Sequence, residues 1–224
     1  MPRPLPRYDL ALQAQADLAN GLVTAGEAVR LAGGVGREQW TLTRVELLYE
    51  LAYIRLFVMW EELLECVFLR SLCGYQSRVG QEVLIPASCG PGLIGSHFPS
   101  ISAAQNLVYG GADFLLWHDP DKVIKRCKKY ISSGQGAGPA QQENVFASSL
   151  ARLKHFAAIR HRIAHEQDDA RNKFDAATHH FVGHRYAASR PGRFLRDYEP
   201  ASAPPKRWLA TIADELIGLM GQLC

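Results

Sequence analysis

The stretch AAIRHRIAHEQDD, residues 157–169, gathers Arg160, His161, Arg162 and His165 within six positions of an otherwise apolar segment. Imidazole, with a reference pKa near 6.5, gives or takes a proton at neutral pH. A guanidinium grips phosphate oxygens as their charge grows. Together these groups suit RNA cleavage without a metal. The ribose 2′-hydroxyl attacks, a base takes its proton, and an acid protonates the leaving 5′-oxygen. A second chemistry is zinc binding. His161 and His165 stand four apart, and His179, His180 or His184 would complete a ligand set. HEQDD is not HExxH, however, and no cysteine lies near. The third reading is a plain surface helix with solvated histidines.

A helical wheel at about 100° per residue separates these groups. Leu153, Phe156, Ala157, Ile163, Ala164 and Phe174 share one arc, and Arg160 falls near its centre, where a leucine is expected. A buried guanidinium needs a carboxylate or a phosphate. Glu61, Glu62 and Glu65 are the internal candidates, and a buried Arg–Glu pair that only orients helices explains Arg160 equally well. His161 and His165 share an edge of the polar face, whereas His155 and Arg162 point toward solvent. Arg160 and His165 are splayed by about 140° on an ideal helix. They meet at one ligand at the helix shoulder, or when a second copy of the helix contributes. A two-fold dimer with facing motifs would supply two copies of His165.

Helices must carry this segment. Residues 1–7, with alternating prolines, read as a disordered arm. A helix is expected from Tyr8 to Ala32, ended by GGVG at 33–36. A long helix over about Thr41–Leu72 is apolar nearly all round and is expected at the centre of the fold. Residues 75–100, rich in glycine, proline and serine, form a long loop insertion with a short hairpin around EVLIP. A short helix covers Ile101–Val108. Asp119 caps the next helix, with Pro120 at its first position. SSGQGAGP, 132–139, is a linker from which Pro139 opens the helix that runs into the motif. That helix breaks near Asp168, which caps a continuation through Phe174 to Phe181. SRPGRFLRDYEPASAPP is extended, and an amphipathic helix closes the chain over 205–223. The class is all-α: a helical bundle, one domain over 8–224.

Composition is that of a globular protein, 47% hydrophobic and 21% charged. The formal charge of +3 permits an anionic partner without demanding one. Five cysteines, Cys66, Cys73, Cys89, Cys127 and Cys224, form no CxxC pair, as expected of buried free thiols in a reducing compartment. The first ten residues hold no apolar signal core. The apolar stretch over 47–72 is broken by six charges and is no membrane span. A cytoplasmic protein without cofactor is expected. KRCKK, containing Lys125, Arg126, Lys128 and Lys129, suits either a solvated helix face or contact with an RNA backbone. Trp117 and Trp208 read as core.

RHRIAH, Arg160–His165, resembles the R-polar-x-x-x-H signature of HEPN domains (higher eukaryotes and prokaryotes nucleotide-binding). FVMWEELLECVF, LLWHDPDKVIKRCKKYI, LARLKHFAAIRHRIAH, ARNKF and PGRFL fall in the order of the RiboL-PSP-type branch. The resemblance covers roughly residues 45–196. It implies a metal-independent endoribonuclease of toxin–antitoxin, anti-phage or RNA-processing type, producing a 2′,3′-cyclic phosphate. Arg160 would stabilise the phosphate and His165 would be the acid/base. His161 would take the polar second position, and Glu61 would orient the site or pair with Arg160. It also implies a homodimer with a composite cleft, RNA as substrate, and an antitoxin or other regulatory partner. Some such domains only bind nucleotides or partners. The tyrosine that often follows the histidine, a target of nucleotide addition, is replaced here by Glu166 and Gln167.

Overall fold

The computed structural model describes residues 3–32, 40–78, 83–86, 97–133 and 140–224. Nine α-helices run through these residues: α1 Tyr8–Ala32, α2 Leu42–Leu72, α3 Ile101–Tyr109, α4 Pro120–Tyr130, α5 Gln141–Ser148, α6 Leu150–Ala164, α7 Asp168–Val182, α8 Pro191–Arg196 and α9 Trp208–Leu223. Four two-residue strands accompany them: β1 Arg3–Pro4, β2 Tyr75–Gln76, β3 Val83–Leu84 and β4 Ser132–Ser133. The class is an all-α helical bundle. No helix of the described residues is long and apolar enough to cross a membrane. The chain divides into two compact units.

The first unit holds residues 1–9, 61–151 and 218–224. The expected disordered arm is partly structured. Its β1 pairs in parallel with β2, Arg3 opposite Tyr75, and the Leu5 amide donates to the Gln76 carbonyl at 2.8 Å. Leu5 is buried, and that burial offsets the cost of ordering the arm. The expected hairpin around EVLIP is also corrected. Val83–Leu84 pairs antiparallel with Ser132–Ser133, residues read from sequence as a linker. Pro139, Cys89 and most of the 75–100 insertion lie outside the described residues. Helix α4 starts as its sequence dictates: the Asp119 side chain accepts from the amides of Asp121 and Lys122, and Pro120 needs no donor. Phe68 packs between Trp117 and Tyr130, with ring centroids at 5.4 and 6.4 Å.

The second unit holds residues 10–60 and 152–217. Helix α1 buries Leu12, Ala16, Ala19 and Val23 at helical spacing. The first part of α2 buries Val45, Tyr49, Tyr53, Leu56, Phe57 and Trp60. It is not covered all round as expected, because Leu47, Leu51 and Val58 are exposed. Tyr53, fully buried, donates to the Phe156 carbonyl of α6 at 2.8 Å. SRPGRFLRD is not extended. Pro191 occupies the first position of α8, where its missing N–H costs nothing. Phe194 then stacks between Phe181 and Trp208, at 5.9 and 5.2 Å.

The helix expected to run from Pro139 into the motif is divided at Ser149, which leaves helical geometry with φ −103° and ψ 8°. Helix α6 ends at Ala164. The next break comes just before Asp168: Gln167 is the N-cap, its side chain makes no cap hydrogen bond, and Asp168 and Asp169 fill the first turn of α7. Carboxylates there favour the positive end of the helix dipole.

Candidate active site

The last turn of α6 carries the motif. The His165 amide still donates to the His161 carbonyl at 2.9 Å, so both rings project from one helical surface. Their centroids stand 4.7 Å apart. The reversal over 165–167 brings the first turn of α7 back toward them. Asp169 Oδ2 lies 3.9 Å from His161 Nε2 and 2.7 Å from Lys173 Nζ. His165 is exposed and His161 is half-buried. The His161 pKa is held below the ordinary histidine value, first by burial, then by the positive charges of His165 and Lys173. Asp169 opposes the shift and Arg160 adds to it.

Arg160 does not sit at the centre of the buried arc. The buried residues of α6 are Leu153, Phe156, Ala158 and Ile159, while Ala157 and Ile163 are half-buried and Ala164 is exposed. The last turn projects past the core, and Arg160 is half-exposed at the shoulder. Its charge reaches Tyr53, where it opposes the strong upward push of burial on the phenol, and it reaches His161. Arg160, His161 and His165 therefore share one end of α6.

Arg162, read from sequence as a solvent residue, has a structural task. Its Nε donates to the Ser189 carbonyl at 3.2 Å and its second nitrogen to the His165 carbonyl at 3.0 Å. It satisfies a carbonyl that the helix end leaves without an intrahelical donor. The signal was a basic residue in the last helical turn. Its other partner, Ser189, was not legible, because it belongs to a turn where Ala188 and Ser189 both have positive φ, 58° and 45°. Such conformations are uncommon without glycine and concentrate at functional sites. Asp175 holds that turn by accepting from Ser189 Oγ at 2.7 Å.

Two carboxylates on α2 complete the surroundings. Glu46 is buried and pairs with Arg190. Glu50 accepts from the Gly192 amide at 2.8 Å. Burial raises the Glu50 pKa. The Gly192 hydrogen bond opposes this, the negative charge of Glu46 adds to it, and Arg162 and Arg190 pull it down. His155, also read as solvent-facing, is half-buried against His180, with ring centroids at 4.5 Å.

The other predicted residues belong to the first unit. Glu61 Oε2 lies 3.4 Å from His118 Nδ1. Glu65 accepts from the Tyr109 hydroxyl at 2.6 Å, and Glu62 is exposed. Within KRCKK, Lys125, Lys128 and Lys129 are exposed on α4. Arg126 departs from the basic run. It lies 4.7 Å over the Trp117 ring and donates to the Leu116 carbonyl, so it packs rather than faces solvent. Cys66, Cys73, Cys127 and Cys224 are free thiols. Cys73 lies just beyond the end of α2. Among the described residues, no three His, Cys, Asp or Glu side chains are grouped as a metal site. No protein-family model matches the chain, no curated protein matches it, and no solved structure matches its fold.

Proposed function

We propose that this chain is a metal-independent endoribonuclease of HEPN type, acting at the C-terminal end of α6. The observation that carries the reading is the His161–His165 contact, 4.7 Å between ring centroids, beside the half-exposed Arg160. Two imidazoles in one place supply both proton-transfer roles. His161 is the base, because its lowered pKa keeps it neutral at neutral pH. It takes the 2′-hydroxyl proton as that oxygen attacks the adjacent phosphorus. His165, as the acid, gives its proton to the departing 5′-oxygen. The products are a 2′,3′-cyclic phosphate and a 5′-hydroxyl. Arg160 stabilises the non-bridging oxygens as charge builds on them. Asp169 orients His161.

This arrangement is self-contained. A second copy facing the motif would add another His165, which the Arg160–His165 splay invited, but the acid–base pair does not require it. Mixing two inactive variants, Arg160→Ala and His165→Ala, separates the two arrangements. A composite cleft recovers activity in the mixture, and a self-contained site recovers none.

The direct test is cleavage of single-stranded RNA in EDTA, with the 3′ ends of the products identified. His165→Ala is expected to lose about 10²–10⁴-fold in rate, with melting temperature unchanged. Equal cleavage by wild type and His165→Ala would overturn the reading. RNA or protein binding without cleavage would make the domain a binding module.

A further inference from the structure

We infer that Asp175 is a positioning residue for His165, acting through Ser189 and Arg162. The inference rests on the nuclease reading, in which His165 is the acid, and adds to it a residue that need not touch RNA.

The connection is continuous. Asp175, half-buried on α7, accepts from Ser189 Oγ at 2.7 Å. The Ser189 carbonyl accepts from Arg162 Nε at 3.2 Å, and another nitrogen of the same guanidinium donates to the His165 carbonyl at 3.0 Å. A guanidinium is planar and rigid, so fixing its Nε also aims the nitrogen that reaches His165. Ser189 is only 5% exposed, and all three of its polar groups are engaged, because its amide donates to the Tyr186 carbonyl at 2.9 Å. That amide bond already closes the turn. The hydroxyl bond to Asp175 is left to set how the residue, and with it the carbonyl facing Arg162, is turned.

The backbone gives a second observation. Ala188 and Ser189 hold φ at 58° and 45°, a left-handed conformation that glycine adopts readily and other residues adopt at a cost. Such strain persists only where the surroundings over-determine it. Glycine at 189 would relieve the strain and would lack the hydroxyl that reaches Asp175. The bond to Asp175, not backbone preference, therefore explains a serine here. Helix α7 then serves both imidazoles. Asp169 in its first turn lies 3.9 Å from His161, and Asp175, two turns along, fixes the backbone at His165. One helix sets the base and the acid relative to each other, which is the placement that proton transfer depends on.

The test uses the full chain and two readouts. Solvent exchange of the Arg162 Nε–H, followed by NMR without RNA, reads the connection; kcat and KM for single-stranded RNA in EDTA read its consequence. Asp175→Ala is expected to speed the exchange and to lower kcat about threefold to tenfold with KM unchanged. Asp175→Asn should keep most of the rate, because an amide oxygen also accepts from a hydroxyl. Ser189→Gly should lose rate as Asp175→Ala does, although its backbone is less strained. Ala188→Gly, which relieves strain and leaves the hydroxyl in place, should match wild type in kcat. In an Arg162→Ala background, Asp175→Ala should add no further loss. Unchanged Nε–H exchange in Asp175→Ala would overturn the inference, and so would wild-type kcat despite faster exchange or losses that add in the double variant. A wild type that cleaves no RNA fails the nuclease reading itself, whereas an active wild type matched by Asp175→Ala fails only this inference.

Discussion

The end of α6 and the corner around α8 belong to the same unit and are built on opposite plans. At the corner, nearly every group is fixed from several sides. Glu27, buried, receives Arg196 at 2.5 Å and Arg30 at 3.1 Å, with Arg207 at 3.6 Å. Phe194 has no exposed surface and stacks on two rings. At the end of α6, His165 is exposed, and Arg162 joins it to the corner through Ser189. The difference separates holding from reacting. A site that must admit a polyanion and move protons stays open, and its positions are borrowed from a neighbour that is closed.

The comparison is broken most severely at Gly192. A Cβ on this residue would sit 2.2 Å from the Glu46 carbonyl oxygen and 2.6 Å from its carbon, both backbone atoms that cannot swing aside. Gly192→Ala must therefore part α8 from α2 and weaken the Gly192–Glu50 hydrogen bond. A loss of about 3 kcal/mol or more is expected in denaturant unfolding. A variant as stable as wild type would show that the corner is not locked.

Arg162→Ala should cut the connection while leaving both regions standing. Arg162 is a positioning residue: it touches the His165 carbonyl, not the imidazole. Cleavage is expected to fall about tenfold in kcat with little change in KM, because the lost constraint acts on the acid's placement. Melting should shift by only a few degrees. Arg162→Lys should recover part of the rate, since one ammonium reaches either carbonyl but does not fork to both. A fall in stability with unchanged kcat would reduce Arg162 to a helix cap.

These two residues mark how far the sequence could be read. Helices α1 to α4 were legible because their signals are local: long apolar periodicity, Asp119–Pro120 at one start, glycine after an end. The motif residues were legible by type, and the His161–His165 contact by spacing alone. Arg160 was placed too deep because the wheel assumes that a core runs the helix's whole length, whereas α6 outruns its core by a turn. Helix α8 was missed because six residues carry no period, and Pro191 reads as a breaker although it also suits a first position. Asp169 and Ser189 entered the site only through chain reversals at 165–167 and 186–190, and nothing local in the sequence specifies those angles.

The smallest effect sharpens the comparison from between the two regions. His155 packs against Phe181, a ring of the corner, yet stands four residues before Ile159 on the motif helix. Its pKa is held below the ordinary histidine value, first by burial and then by the charges of His180 and Arg152. The fold thus favours neutral His155, and the unfolded chain binds more protons once the pH falls below about 6.5. The stabilisation is present above that value and is lost as pH falls through the lower folded value. His161, also lowered, contributes with the same sign but is more exposed. Melting temperature should therefore decline between about pH 7 and 5, and His155→Gln should flatten that decline more than His161→Gln does. Equal slopes in wild type and His155→Gln would mean that the acid sensitivity arises elsewhere. A larger flattening in His161→Gln would place the coupling at the open end of α6, reversing the assignment of which region is held and which is free.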